Sequence, residues 1–171
     1  MIYRIYRTLN IGCGDSIYGT NRLDVMRDSK ATELGLASQL PYKDNSFDYI
    51  YAENILEHQS NPKEFLIECK RVLKKEGFLS IITDNAGYRG YFPLLYKFQD
   101  RHGIYSNPKT DKDKHYMIFT MSHVVNLIKE SGFKLVYIWL GTRWKPSLIQ
   151  HLWILLSPTV GHSHIYCLVM K

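Results

Sequence analysis

Apolar positions along the chain fall into short β-rich runs that alternate with stripes at helical spacing. Residues 8–14 (T-L-N-I-G-C-G) read as a buried strand running into a glycine turn, and residues 22–25 as a second, shorter strand. Residues 31–37 give a third strand. A turn cluster, K-D-N-S, then introduces a fourth at 47–52 (F-D-Y-I-Y-A). The clearest helix is predicted over 61–76. Asn61 can cap it, Pro62 suits the first helical position, and Glu64 stands where a capping-box acid reaches back. Phe65, Leu66, Cys69, Val72 and Leu73 make its apolar stripe, and Gly77 is expected to end it. Residues 78–83 (F-L-S-I-I-T) form the next strand. Thr120 caps a second helix that carries Val124, Val125, Leu127 and Ile128 to Gly132. A strand at 133–140, a short apolar helix at 147–156 and a strand at 163–170 complete the series.

Strands alternating with helices imply an α/β fold with a mostly parallel sheet, the last two strands forming an antiparallel edge. Two segments resist the scheme. Residues 15–22 between the first two strands are too few for a helical crossover. Extended, they reach about 26 Å, more than a strand's length, so a bare loop can return the chain and the first crossover helix is expected to be missing. Residues 86–118 carry no clear element. Tyr88, Tyr91, Phe92, Tyr96, Phe98 and Tyr105 stand there among basic residues, and the segment is expected to be a lid over the site. Simple packing of those aromatics is the competing reading.

The 171 residues suit one domain spanning 1–171, and 45% hydrophobic, 22% charged and 13% aromatic content argue for a packed core. Cys13, Cys69 and Cys167 form no CxxC pair, so no disulfide framework or zinc site is indicated and a cytoplasmic location is expected. The N-terminal M-I-Y-R-I-Y-R-T has charges inside its apolar stretch and does not read as a signal peptide. The most apolar stretch, 147–157, would be only about 17 Å long as a helix, too short to span a membrane. The net charge of +6 admits an anionic partner, but the cations are spread out. Their local densities, 70–75 and 109–114, read as a helix end opposing the dipole and as a stretch alternating with Asp111 and Asp113.

The chemistry centres on Gly12, Cys13 and Gly14, directly after a strand. Glycines there let the backbone turn sharply and approach a ligand. The dinucleotide fingerprint is not met: Ile17 stands at the third glycine position, and Asp24 comes too early for the fingerprint's acid. That speaks against a nicotinamide or flavin dinucleotide. Asp24, at the end of the second strand in L-D-V, can accept hydrogen bonds from the two hydroxyls of a ribose. Alone it would read as a strand-end turn acid.

Four segments in register are specific: L-N-I-G-C-G-D-S, then G-T-N-R-L-D-V, then L-P-Y-K-D-N-S-F-D-Y-I-Y-A-E-N-I-L-E-H, then E-C-K-R-V-L-K-K-E-G-F-L-S-I. The series resembles the class I S-adenosylmethionine-dependent methyltransferases of the type 11 group over residues 8–85, and H-Y-M-I-F-T with S-G-F-K resembles the family's later segment. The resemblance implies a Rossmann-like seven-stranded sheet of order 3-2-1-4-5-7-6 with the seventh strand antiparallel, and S-adenosylmethionine as cofactor. It places the turn of Gly12, Cys13 and Gly14 against the methionine part, Asp24 on the ribose and Val25 beside the adenine. Ala37 and Ser38 would meet the adenine edge, and Glu53 and Asn54 would line the methionine and methyl side. An acid often precedes the adenine-edge residues in the family; here those positions are Gly35 and Leu36. Glu57 and His58 match the family's L-E-H. His58 can accept a proton, and both can equally tie the loop to the following helix. Transfer to an aligned nucleophile rests largely on proximity and orientation, so no dedicated base is demanded. The leading expectation is methyl transfer to a small-molecule or glycan-type acceptor. RNA methylation is motivated by the basic charge and the aromatic segment, and a non-catalytic interaction protein by the lost helix and the missing acid.

Overall fold

The parallel strands come first in the chain and the antiparallel edge last, which puts the cofactor-type motifs on one side of the sheet and the late strands on the other. The computed structural model describes residues 6–88, 116–142, 154–155, 157 and 162–171. The strands are β1 (Thr8–Ile11), β2 (Asn21–Asp24), β3 (Glu33–Leu34), β4 (Phe47–Glu53), β5 (Leu73–Asp84), β6 (Lys134–Gly141) and β7 (His164–Met170). They form one sheet in the order β3-β2-β1-β4-β5-β7-β6, with β7 antiparallel to both neighbours and the other pairings parallel. The carboxyl ends of β1, β2, β4 and β5 therefore share a rim with the start of β7.

Helix α1 (Pro62–Val72) connects β4 to β5, after a single 3₁₀ turn (Leu56–His58), and α2 (Met121–Glu130) precedes β6. Both start as their residues dictate. The Asn61 side chain accepts from Glu64 N at 3.3 Å, and Thr120 Oγ1 accepts from His123 N at 3.3 Å while His123 Nδ1 accepts from Thr120 N. Phe65, Leu66, Cys69 and Val72 of α1 join Val124 and Ile128 of α2 in one core with Leu9, Ile11, Ile50, Ala52, Leu79 and Ile81. Full burial of such side chains supplies about 1.5–3 kcal/mol each.

Helix α1 ends at Val72, four residues short of the expected 61–76. Leu73 is already extended (φ −69°, ψ 141°) and pairs with Phe47, so its buried side chain enters the core as the first residue of β5. Gly77 does not cap the helix. A Cβ there would lie 2.9 Å from Lys74 O and 3.1 Å from Asp48 O, so this glycine permits β5 to close on β4. The strand expected over 31–37 shrinks to Glu33–Leu34.

No helix separates β1 from β2, as the spacing predicts. The returning loop lies on the sheet face that carries Asn10, whose buried amide donates to Ser16 Oγ and to Tyr18 O, each at 3.3 Å. Arg22 Nη1 donates to Gly19 O at 3.3 Å and Arg22 Nε to Lys30 O at 2.6 Å, binding this loop to the next. The same face presents the rows Tyr51, Ser80, Leu168, Tyr137 and Glu53, Ile82, Tyr166, Trp139. Trp139 stacks on Tyr166 with centroids 5.2 Å apart. Of the segment expected to be a lid, residues 89–115 lie outside the described residues, as does most of the apolar stretch 147–156. The two roots of the former are joined: Ala86 N donates to Phe119 O at 2.8 Å. Among the described residues, no helix is long and apolar enough to cross a membrane and no side-chain group could hold a metal ion.

Candidate functional site

The glycine turn closes β1 against β2. Gly12 N and Cys13 N both donate to Leu23 O, at 2.9 and 3.2 Å. Gly12 and Gly14 take φ of +68° and +49°, a region that favours glycine. A Cβ on Gly12 would come within 3.0 Å of the Ile55 side chain, whereas one on Gly14 would meet nothing within 4 Å. The turn thus packs on one side and faces open space on the other. Asp24 pins it. Its Oδ2 accepts from Gly14 N at 2.8 Å and its Oδ1 from Met26 N at 2.9 Å, with only 8% of the residue exposed. Cys13 lies beside this carboxylate, and burial first, then the Asp24 charge, push its thiol up, which keeps it protonated.

Beyond Asp24 the rim becomes apolar. Val25 is 62% exposed and Leu36 59%, while Ala37 is buried and Ser38 half-buried between them and the core. Gly35 N donates to Asp24 O at 3.0 Å, tying this strip to the turn. Helix α1 clamps its far end. Arg71 Nη2 reaches Leu40 O at 2.9 Å and Arg71 Nη1 reaches Tyr42 O at 2.7 Å; Glu68, which holds that guanidinium at 2.7 and 2.8 Å, also accepts from Leu40 N at 2.9 Å. The guanidinium, ahead of an opposing desolvation, holds the Glu68 carboxyl below its ordinary range.

Glu53 and Asn54 close the site on the β4 side. Glu53 accepts from Tyr51 OH at 2.8 Å, and Tyr51 packs edge-on against Tyr18. Asn54 adopts φ +49°, and its N donates to Ile82 O at 2.8 Å. Among the described residues its Oδ1 is buried with no hydrogen-bond partner, a costly state for an amide carbonyl. Glu57 is 1% exposed and accepts from Thr83 Oγ1 at 2.8 Å, while its carbonyl accepts from Tyr116 N at 2.8 Å. Through these bonds the residue ties the loop to β5 and to the 116–117 segment. His58 ends the 3₁₀ turn, its N bonded to Ile55 O at 3.2 Å.

Gly12, Cys13, Gly14, Asp24, Val25, Ala37, Ser38, Glu53 and Asn54 therefore gather along one rim. The arrangement fits a nucleoside joined to an amino acid. Open space over Gly14 leaves room for the chain, the orphaned Asn54 Oδ1 offers an acceptor to an ammonium, and Val25 with Leu36 offers apolar flanks to a flat base. Sequence reasoning did not find Ser163 and His164, which stand beside Asp84 at the same rim. The only available signal was H-S-H at the start of the last strand, and nothing local says that β7 enters at the carboxyl end of β5.

Residues 9–81 match the family model described as a methyltransferase domain. Two uncharacterized proteins of Methanocaldococcus jannaschii are similar, one 33% identical over 96 residues and the other 31% over 94, covering 56% and 47% of this chain. The chain spans 42% and 41% of the length of these relatives. A SAM-dependent methyltransferase of Thermotoga maritima superposes with a TM-score of 0.67 at 16% identity, covering 96% of this chain and 82% of the other. One from Mesorhizobium loti gives 0.65 at 14% identity, covering 96% and 90%.

Proposed function

We propose, for a chain whose residues 9–81 match the methyltransferase-domain family model and whose fold is that of S-adenosylmethionine-dependent methyltransferases, methyl transfer from S-adenosylmethionine to a small-molecule acceptor. The observation that carries the reading is the turn of Gly12, Cys13 and Gly14, pinned by Asp24 and open over Gly14, beside the orphaned Asn54 Oδ1. In this reading Asn54 and the turn hold the methionine part. The remaining lone pairs of Asp24 accept from the ribose, Val25 and Leu36 flank the adenine, and backbone at Ala37 and Ser38 meets its edge. The cofactor supplies an electrophilic methyl group. The chain's own residues bind and orient it, and alignment of an acceptor with the methyl accounts for most of the acceleration.

Charge supports a small acceptor over a nucleic acid. The rim carries Asp24, Glu53, Glu57 and Asp84, which would repel a phosphate backbone. Three of the described cations are engaged away from it: Lys74 pairs with Asp48 at 2.8 Å, Arg71 serves the α1 clamp, and Lys171 Nζ donates to Leu73 O at 2.7 Å. Three buried free thiols accord with a cytoplasmic setting.

A thermal-shift panel tests the cofactor. S-adenosylmethionine and S-adenosylhomocysteine at a hundred times their dissociation constants should stabilise by about 2.7 kcal/mol, raising the midpoint by roughly 5–11 °C. NAD and ATP should not move it. A larger response to NAD would overturn the assignment.

A further inference from the structure

The parallel strands begin at a rim that the cofactor reading leaves unused, and this rim is basic. Arg7 stands directly before β1, where its O accepts from Asp48 N at 2.9 Å and its guanidinium lies 5.0 Å from the Phe47 ring centroid. Lys43 is in the turn before β4, Lys75 stands near the start of β5, and Lys134 opens β6 opposite Met170 at the end of β7. Arg7, Lys43, Lys75 and Lys134 are all exposed. Lys171 follows Met170; its N donates to Gly77 O at 3.0 Å and its Nζ to Asn45 Oδ1 at 3.0 Å as well as to Leu73 O. Lys70 Nζ donates to Gly132 O, just ahead of β6, and lies 5.9 Å from the Phe133 ring centroid.

Neutral acceptors hold Lys70 and Lys171, so neither charge is cancelled by its hydrogen bonds. Desolvation, partly offset by Asp44 and reinforced by the like charge of Lys70, lowers the Lys171 pKa, which places the two ammonium groups within range of each other. The nearby carboxylates are spent on other cations: Asp44 and Glu68 on Arg71, Asp48 on Lys74, and Glu130 on Lys63. The opposite rim carries Asp24, Glu53, Glu57 and Asp84, and the seven residues of β4 set the two rims about 20 Å apart. That is more than two Debye lengths of about 8 Å at physiological salt, so a partner at either rim meets one sign of charge.

We propose that this basic rim is a docking surface for an anionic lipid layer, which holds the protein with its cofactor rim turned to the aqueous side. The complementarity is one of charge. Lysine ammonium groups are compact point charges that suit a diffuse layer of headgroups, whereas bidentate recognition of a single phosphate favours arginine, and Arg71 is occupied. Tyr6, 57% exposed beside Arg7, adds an amphipathic ring suited to headgroup depth. A nucleic acid bound here would lie about 20 Å from the cofactor rim, out of reach of methyl transfer. A lipid layer needs no such reach: it fixes where the protein works, and by repelling the acidic rim it leaves that rim open to the acceptor. Docking depends on charge alone and holds with or without the cofactor reading; only the work done at the outward rim rests on it.

Cosedimentation with vesicles tests the surface. The full chain should bind vesicles of mixed phosphatidylcholine and phosphatidylglycerol at about 0.1 M salt and leave them at about 1 M, where the Debye length is about 3 Å. It should not bind pure phosphatidylcholine. Lys75→Gln with Lys134→Gln should lower the partition coefficient about 20-fold or more, since each lysine near such a surface contributes about fivefold. Both side chains are exposed and far from the cofactor rim, so the thermal midpoint and the affinity for S-adenosylhomocysteine should be kept. Arg27→Gln with Lys30→Gln makes the same change in charge at exposed positions after β2, on the acidic rim, and should lower partition less than about threefold. Equal losses in the two double variants would mean that net charge alone drives adsorption, and would overturn the proposal, as would failure to bind the anionic vesicles. Tighter binding to a single-stranded RNA than to those vesicles, weakened by the same Lys75 and Lys134 changes, would reassign the rim to nucleic acid. Vesicle-bound protein that no longer takes up S-adenosylhomocysteine would refute the orientation, whereas failure to bind that ligand in free solution overturns the cofactor reading and leaves the docking result standing.

Discussion

Both oxygens of Asp24 already accept backbone N–H groups, and this changes what its removal would do. Asp24→Ala should weaken S-adenosylhomocysteine binding by about 1.5–3 kcal/mol, and also lower stability by about 1–3 kcal/mol because Gly14 N and Met26 N lose their partner. Calorimetric titration and denaturant unfolding read the two separately, and unchanged affinity would place the ribose elsewhere. Leu36→Asp probes the opposite situation. Leu36 is 59% exposed, so an acid there costs little stability and can meet the adenine amino group; its affinity should rise, and a loss would show that the base lies elsewhere. At this scale the sequence placed the glycines, Asp24, Glu53 and Asn54 at strand ends, where the structure has them, because each sits in a motif tied to a strand end. It could not show that Asp24 holds the turn, nor that Glu57 points to Thr83, since both depend on loop paths set by tertiary contacts.

The α1 clamp is the element on which the adenine side depends. Glu68 and Arg71, three residues apart on one helix face, hold the loop from Leu40 to Tyr42 through backbone atoms. Because the folded-state Glu68 carboxyl titrates below its ordinary value, its contribution to stability is present above the unfolded pKa and is lost as pH falls through the depressed folded one. Glu68→Gln should therefore cost about 1–2 kcal/mol at pH 7, with the gap to wild type closing in urea titrations as pH falls through and below the ordinary carboxylate range. A gap independent of pH would mean that shape, not charge, holds the loop. The strands and both helices were legible because their apolar periodicity agrees with their caps. The end of α1 was not. Gly77 looks like a helix stop in sequence, but the pull of Leu73 into the core ends the helix earlier, and the glycine is required by the closeness of Lys74 O and Asp48 O.

At the scale of the molecule, sheet order and direction followed from the alternation of elements and from the family resemblance, and the lost crossover helix from loop length alone. One consequence concerns the order of assembly. The strands from β1 to β5 are joined by local connections, but the partner on the far side of β5 arrives from a distance: Asn85 and His162, which fasten the two strands, are 77 positions apart. Until β7 docks, β5 is a bare sheet edge. Its F-L-S-I-I-T run is uncharged, β-branched and free of proline, the composition that pairs with copies of itself. Closing so long a loop is slow relative to the local pairings. Refolding from denaturant should accordingly lose yield as protein concentration rises, with light scattering appearing before the native signal, while the equilibrium unfolding midpoint stays independent of concentration. A yield unaffected by concentration would mean that β7 docks before β5 is ever exposed. The same pairing that carries Asp84 to His164 thus makes the chain sticky while it folds.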